Sequence, residues 1–489
     1  MRLRRKRSED RRTARPSVPY RVPVLAVIAG LLVGGGVLDA RLHPPRRVDT
    51  AAVNVQVPVA APASARSSAW YCAGSTANTG GAADGSVVVA NAGARRLTGT
   101  VTVYPDKGEL RRTSIDVAPS ARAAIRLGDV APAAYASAVV ELDGGDAVVD
   151  LATSGPLGES VTPCASSASS SWYFAEGVTT KDASMVLLAL NPFPDDAVVD
   201  VVFSTEEGLV SPQALTGLSV RGQAMTVINA GEFVQRREAV TARLVARTGR
   251  LAVGRLQSFD GTAGRKGISV ALGAAAPGPV WYFPEGLVAD GQTERFQVYN
   301  PGRSEAQVQV DLALDRGSAE PLSLTVPRES RLTVVASDET RIPKGVPHAA
   351  TVRSTNGVDV VAERTIDGTA PSPRTGVSIT VGSRLPAKRW AAAAGGADDT
   401  TDQWLVVLNP GERSAQLTVG VLVDGSRTGD ALGVIEVPGG QRRAIHVNDA
   451  VKRQAAPVTL TSDQPVVVER DLYRVKGLGL GMAAAVPLR

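Results

Sequence analysis

The sequence predicts an all-β protein in which an N-terminal transmembrane helix precedes four tandem immunoglobulin-like or fibronectin-like β-sandwich repeats. Three observations lead there. The 489 residues include 49 Gly and 31 Pro but only 4 Met, and the apolar residues are mostly Val, Ala and Leu, which favours short strands and turns. An aromatic signature returns as WYCAGS at Trp70, WYFAEG at Trp172, WYFPEG at Trp281 and WAAAAG at Trp390, at spacings of 102, 109 and 109 residues. A stretch without charge, VPVLAVIAGLLVGGGVL, runs from Val22 to Leu38 ahead of the repeats. At about 150 residues per domain, the length calls for roughly three to four domains.

Residues 1–21 form a basic tail with nine Lys/Arg against Glu9 and Asp10, a net +7 that leaves −2 for the rest of a chain whose total is +5. The near-neutral body offers no field for phosphate, so nucleic acid is not an expected partner. Residues 22–38 would reach about 25 Å as a helix, barely a membrane span. A cleaved signal peptide competes, but Leu38-Asp39-Ala40 places a large residue where cleavage wants a small one. An uncleaved anchor is therefore expected. Nine cations before the span and three after it (Arg41, Arg46, Arg47) put the N-terminus in the cytoplasm and the bulk of the chain outside, on the cell membrane. Residues 39–69, rich in Pro, Ala and Ser, read as a tether.

Four β repeats follow, at 70–165, 172–277, 281–386 and 390–489. In each, an apolar run closes on Asn (SVVVAN at Asn91, MVLLALN at Asn191, FQVYN at Asn300, WLVVLN at Asn409), as a strand does when it enters a turn. Alternating strands come next (LTGTVTVYP, AVVDVVFST, AQVQVDLAL, AQLTVGVLV), with one face buried and one wet. Late strands (VDLATS, VGRLQSFDG, VAERTIDG, VERDLYR) and closing strands (ESVTPCA, GISVALG, GVSITVG, GLGMAAAV) complete each unit. Seven or eight short strands in about 105 residues suit a sandwich. The alternative is a β-propeller with two blades per repeat.

Cys72 and Cys164 fall on the exported side and are expected to form a disulfide closing the first repeat, worth about 4 to 5 kcal/mol in the chain-entropy model. Trp70, Trp172, Trp281 and Trp390 are assigned to the repeat cores. Glu176 with Arg255, and Glu285 with Arg364, are expected to form partly buried ion pairs between the first strand and a late strand of one repeat, because the first repeat lacks both members, having Gly74 and Leu151 there. The fourth repeat keeps Arg470 without that acid, with Glu469 as the substitute.

Chemistry is sparse. His43 lies in the tether, and His348 and His446 stand alone in loops of different repeats, so hydrolysis by Ser or Cys lacks its base. HExxH, GxxxxGK and GxSxG are absent. Asp182, Asp195, Asp196, Asp398 and Asp399 read as solvated turn formers, and DDTTD at 398–402 lacks the glycine and terminal acid of a calcium loop. No catalytic, cofactor-binding or metal residue is assigned, no cofactor is expected, and an enzyme is not. Trp404, outside the repeat register, is the candidate ligand platform, set against a plain core-facing strand residue.

The WYFAEG opening, the LNP turn, the alternating strand beyond it and QPVVVERDLY together resemble the WYFAEG-repeat proteins of actinobacteria. The resemblance runs from Trp70 to Arg489 and is strongest in the second and third repeats; the first departs by its cysteines and missing Glu, the fourth by WAAAAG. It implies an anchored or secreted envelope protein carrying a domain of unknown function, with no activity assigned. The expected function is a non-enzymatic, membrane-anchored extracytoplasmic β-repeat protein, a cell-envelope scaffold with an interaction or adhesion-like role; the alternative is a binder of cell-wall polysaccharide or peptidoglycan. Expected partners are the membrane through residues 22–38 and cell-wall glycans or envelope proteins.

Overall fold

The computed structural model describes residues 57–423, 426–428 and 432–489, almost entirely as β-strands. The second and third repeats each build two antiparallel sheets around one core, and in the first and fourth the two halves join into one sheet of eight and nine strands. In the second repeat, one sheet runs Gly208–Val210, Ala197–Thr205, Val240–Thr248, Ser171–Phe174; the other runs Ala224–Asn229, Ala183–Asn191, Ala252–Asp260, Lys266–Leu272. The first sheet alternates: in AVVDVVFST the Val and Phe side chains at 199, 201 and 203 are buried, and Val198, Asp200 and Val202 are partly exposed. The second does not. In Ala183–Asn191 every residue from Met185 onward is buried, which requires cover on both faces.

The second cover is the neighbouring repeat. The four closing strands, Gly158–Pro163, Lys266–Leu272, Gly376–Val381 and Leu480–Ala484, each pack against the closing strands of both neighbouring repeats, and the fourth packs against the first. Backbone amides tie successive strands: Val270 N donates to Ser160 Oγ at 2.9 Å and Ile379 N to Ser269 Oγ at 2.9 Å. Thr375 bridges to Leu478, and Arg474 reaches Glu159 at 3.4 Å to complete the circuit. Four small sheets thus stand in a ring resembling a four-bladed β-propeller, one blade per repeat, with the alternating sheet of each repeat packed on its blade.

This corrects the expected fold class. A string of independent immunoglobulin-like or fibronectin-like sandwiches is overturned by the closed circuit, and the alternative of two blades per repeat by the single blade each repeat contributes. The strand order also departs from an immunoglobulin sheet, since the first strand of the first repeat pairs with the sixth (Trp70 opposite Val140). The physical reason lies in the closing strands: Gly, Ser, Ala and Thr make them slim enough for four to meet about one axis. Among the described residues no helix is long and apolar enough to cross a membrane; the transmembrane helix expected at 22–38 and the tail at 1–21 lie outside them.

Several local expectations can be placed. Cys72 and Cys164 are bonded, with Cα atoms 4.6 Å apart. The four register tryptophans are 1–2% exposed, and three spend the indole N–H on a carbonyl at or just before a late strand: Trp172 on Leu251 (2.9 Å), Trp281 on Val360 (2.8 Å), and Trp390 on Val466 (3.1 Å), shared with Ala387 O (2.9 Å). Each turn asparagine is buried and bonded across its turn; Asn191 Nδ2 donates to Asp195 O and Oδ1 accepts from Phe193 N. The expected tether is corrected from residue 57 on: Val59 and Ala60 are buried, with their amides on Ser166 Oγ and Pro487 O.

Candidate functional site

The seams between blades hold the charged residues. Arg255 is fully buried and pairs with Glu363 of the next repeat at 2.6 Å, while its Nη1 also donates to the backbone carbonyl of Glu176. The Glu176 carboxylate turns instead to Arg331 of the third repeat. One seam on, Arg364 pairs with Glu469 and donates to the Glu285 carbonyl, while the Glu285 side chain pairs with Arg442. The last seam closes with Arg470 on Asp150 at 3.0 Å. The expected pairs Glu176–Arg255 and Glu285–Arg364 are therefore corrected: each Arg takes only the main chain of that Glu, and both side chains reach across a seam. Glu469 does serve as an acid, but for Arg364 rather than Arg470.

The seam between the first and second repeats lacks this set. Gly74, Leu151, Met225 and Gly254 stand where the seam after it has Glu176, Arg255, Arg331 and Glu363. Leu151 and Met225 join one apolar cluster there with Val186, Leu188 and Val270. Gly254 is required by close approach, since a Cβ would lie 2.0 Å from the Ala73 carbonyl oxygen.

The seam between the third and fourth repeats differs again, because it holds a cleft of about 340 Å³. Trp404 lines it from the strand Thr401–Leu408, half-buried, with cross-strand neighbours His446 and Asp471. His446 stacks on the indole with centroids 4.4 Å apart and is fixed by Asp402 (2.6 Å) and Asp449 (2.8 Å). Arg374, from the third repeat, stands over Tyr473 at 3.7 Å and over Trp404 at 6.0 Å. Its carboxylate partner is Glu285, only loosely at 3.8 Å. Arg442, by contrast, is saturated by Glu285, Asp315 (2.9 Å) and the Pro284 carbonyl (3.0 Å).

At the base lies Asp471, 0% exposed. Tyr473 donates its hydroxyl to Oδ2 at 3.3 Å, and Oδ1 has no hydrogen-bond partner. Burial first, then the nearby Glu469 and Glu285, hold this carboxyl well above the usual range, with Arg364 and Arg374 opposing. Burial also pushes Glu285 up, opposed by Arg442 and Arg374, and pushes the Tyr473 phenol well above its ordinary value with help from Asp471.

Sequence reasoning found Trp404 but missed its neighbours. His446 ends the strand Arg442–His446 and His348 begins His348–Ser354, so neither stands alone in a loop; His348 is buried against Glu294 at 2.9 Å. Asp471 and Tyr473 sat in the repeat's ERDLY segment, and the signal was their departure from register, since the third repeat has Thr365 and Asp367 there. The DDTTD acids close a turn: Asp398 Oδ1 accepts from the amides of Thr400 (2.8 Å) and Thr401 (2.9 Å). A second cavity, about 70 Å³ on the ring axis, is walled chiefly by apolar residues such as Val161, Val270, Ile379 and Met482.

Residues 148–375 match a family described as "Family of unknown function (DUF5719)", from the late strands of the first repeat through most of the third. No curated protein matches the chain. Among solved structures, Thermotoga maritima 1070 is similar at 18% identity, covering 22% of this chain and 94% of that one, with a TM-score of 0.20. The Anabaena sensory rhodopsin transducer is similar at 24% identity, covering 18% and 94%, with a TM-score of 0.16. A tetra-tandem repeat from the extending region of a large adhesion protein covers 86% of this chain and 99% of its own at 10% identity, with a TM-score of 0.11.

Proposed function

We propose that the chain is a non-enzymatic, extracytoplasmic β-repeat protein of the cell envelope, a rigid scaffold with an interaction or adhesion-like role. The ring carries this reading: most of its buried charges are committed to holding one repeat against the next, which makes a fixed platform and leaves few groups for chemistry. The Cys72–Cys164 bond supports placement outside the cytoplasm, because disulfides persist in oxidising compartments. Membership of the actinobacterial WYFAEG-repeat group belongs to this proposal and rests on the quoted motifs. In intact cells, both thiols should resist alkylation until reductant is added, and a membrane-impermeant crosslinker should give discrete adducts. Free thiols, or an uncrosslinked monomer, would sink the reading.

A second reading, binding of wall polysaccharide or peptidoglycan, is favoured by Trp404. The chain has five tryptophans, and this one is half-buried at a cleft while the other four lie in the cores. The full chain should sediment with purified cell wall, and failure to do so counts against it.

A further inference from the structure

We infer that the cleft between the third and fourth repeats is a binding site for a short, uncharged saccharide segment, held between the Trp404 and Tyr473 rings, the Arg374 guanidinium and the free oxygen of Asp471. This rests on the second reading above and gives it a location and a ligand class.

The case begins with what the same place holds one seam earlier. There the positions of Trp404, Asp471 and Tyr473 are occupied by Arg295, Thr365 and Asp367. Those three are satisfied within the protein: Arg295 pairs with Asp367, and Thr365 Oγ1 accepts from Gln297 Nε2 at 2.9 Å. In the later seam an aromatic pair replaces the ion pair, and an acid with one unpartnered oxygen replaces the threonine. A buried oxygen without a partner is costly unless something supplies a hydrogen bond. Asp471 is among the residues that line a cleft of about 340 Å³, at the small end of ligand sites, which suits one or two sugar rings better than a folded partner.

The charges select the ligand class. Arg374 and Arg442 are balanced by Glu285 and Asp315, so the lining has no uncompensated cation to draw an anion. An acidic ligand would meet Glu285 and Asp315; a cation would meet Arg374. Hydroxyl groups suit the site better, because a hydroxyl both donates and accepts, so it can pair with the Asp471 carboxyl whether or not that carries a proton, and it accepts from Arg374, whose own carboxylate contact is loose. The C–H faces of a sugar ring suit Trp404 and Tyr473.

The test uses the full chain with maltose, cellobiose, N,N′-diacetylchitobiose and galacturonic acid as probes, read by tryptophan fluorescence and calorimetry. Fluorescence is selective here, since the four other indoles are 1–2% exposed. At least one neutral disaccharide should bind saturably and shift the emission. Trp404→Ala, Asp471→Ala and Arg374→Ala should each weaken it tenfold or more, with Trp404→Phe retaining part of the affinity as evidence of a folded site. No saturable response to any probe, a preference for galacturonic acid, or undiminished affinity in Trp404→Ala and Asp471→Ala would each overturn the inference. Wall sedimentation separates the two ideas. If wild type pellets with wall and these variants pellet equally well, the wall-binding reading stands and this site falls.

Discussion

Asp150→Ala should open the ring at its last seam. The Asp150 carboxylate is 2% exposed and its Oδ2 accepts three bonds from the fourth repeat: the amides of Ala393 (2.9 Å) and Ala394 (2.8 Å), and Nη1 of Arg470 (3.0 Å). Truncation strands a fully buried guanidinium and two buried amides. An uncompensated buried charge costs about 3 to 5 kcal/mol, and each orphaned amide about 1 to 3. Relaxation and water entry make these less than additive, so about 4 kcal/mol is expected, close to a thousandfold in the folding equilibrium. The double variant Asp150→Leu/Arg470→Met should recover most of the charge term, because apolar pairs of similar volume often replace buried ion pairs without loss. Urea unfolding followed by tryptophan emission measures both, and hydrogen exchange at Ala393 and Ala394 reports the amides directly. A loss under about 1 kcal/mol in the single variant, or a double variant no more stable than the single, would refute the cross-seam reading.

The other expectations are smaller in scope. Cys72→Ser with Cys164→Ser opens a loop of 92 residues' separation and should cost about 4 to 5 kcal/mol in the chain-entropy model, seen as a lower urea midpoint; an unchanged midpoint contradicts it. Gly254→Ala puts a methyl group 2.0 Å from the Ala73 oxygen and should cost about 2 kcal/mol or more, unlike Gly231→Ala, whose methyl group meets only Asn229 Oδ1 at 3.4 Å. Asp471 has its native pKa raised by burial, Glu469 and Glu285, with Arg364 and Arg374 opposing. The native state therefore binds the extra proton, and stability is full below the unfolded carboxyl pKa near 4 and falls as pH rises toward the native value. Asp471→Asn should gain on wild type by up to about 1.4 kcal/mol per pH unit across that window; parallel stability profiles would contradict this.

Much of the repeat was legible because its signals are local. An Asn that ends a strand bonds its own turn, and a Trp with one buried N–H finds a carbonyl in its own repeat, 79 residues on for Trp172 and Trp281. The ring was less legible, although its mark is in the sequence. MVLLALN and GISVALG are apolar without alternation, which a sheet wet on one face does not permit. Their neighbours AVVDVVFST and AQVQVDLAL do alternate, so each unit announces one sheet with a wet face and one with none. Only a neighbour can supply the missing cover, and only a closed ring supplies it to every repeat. The cleft was legible in one residue of several, since Arg374 and Glu285 come from the third repeat and Asp471 and Tyr473 from the fourth, a meeting no repeat alignment displays.

The misassigned ion pairs carry the same lesson to a sharper point. Glu176 and Arg255 occur together in the second repeat, as Glu285 and Arg364 do in the third, because each pair belongs to one seam, while the last seam keeps Arg470 on Asp150 with Ala394 at the Glu position. Arg255 requires Glu363, and Glu176 requires Arg331; removing either member strands the buried charge of its partner, so each pair changes together across the seam. At the seam before it all four are gone, and Leu151, Met225 and two glycines take their places. Repeats that merely followed one another on a string would show covariation within a unit. Covariation across successive units is what a closed ring imposes, because each repeat must match the face of the next, and the last must match the first.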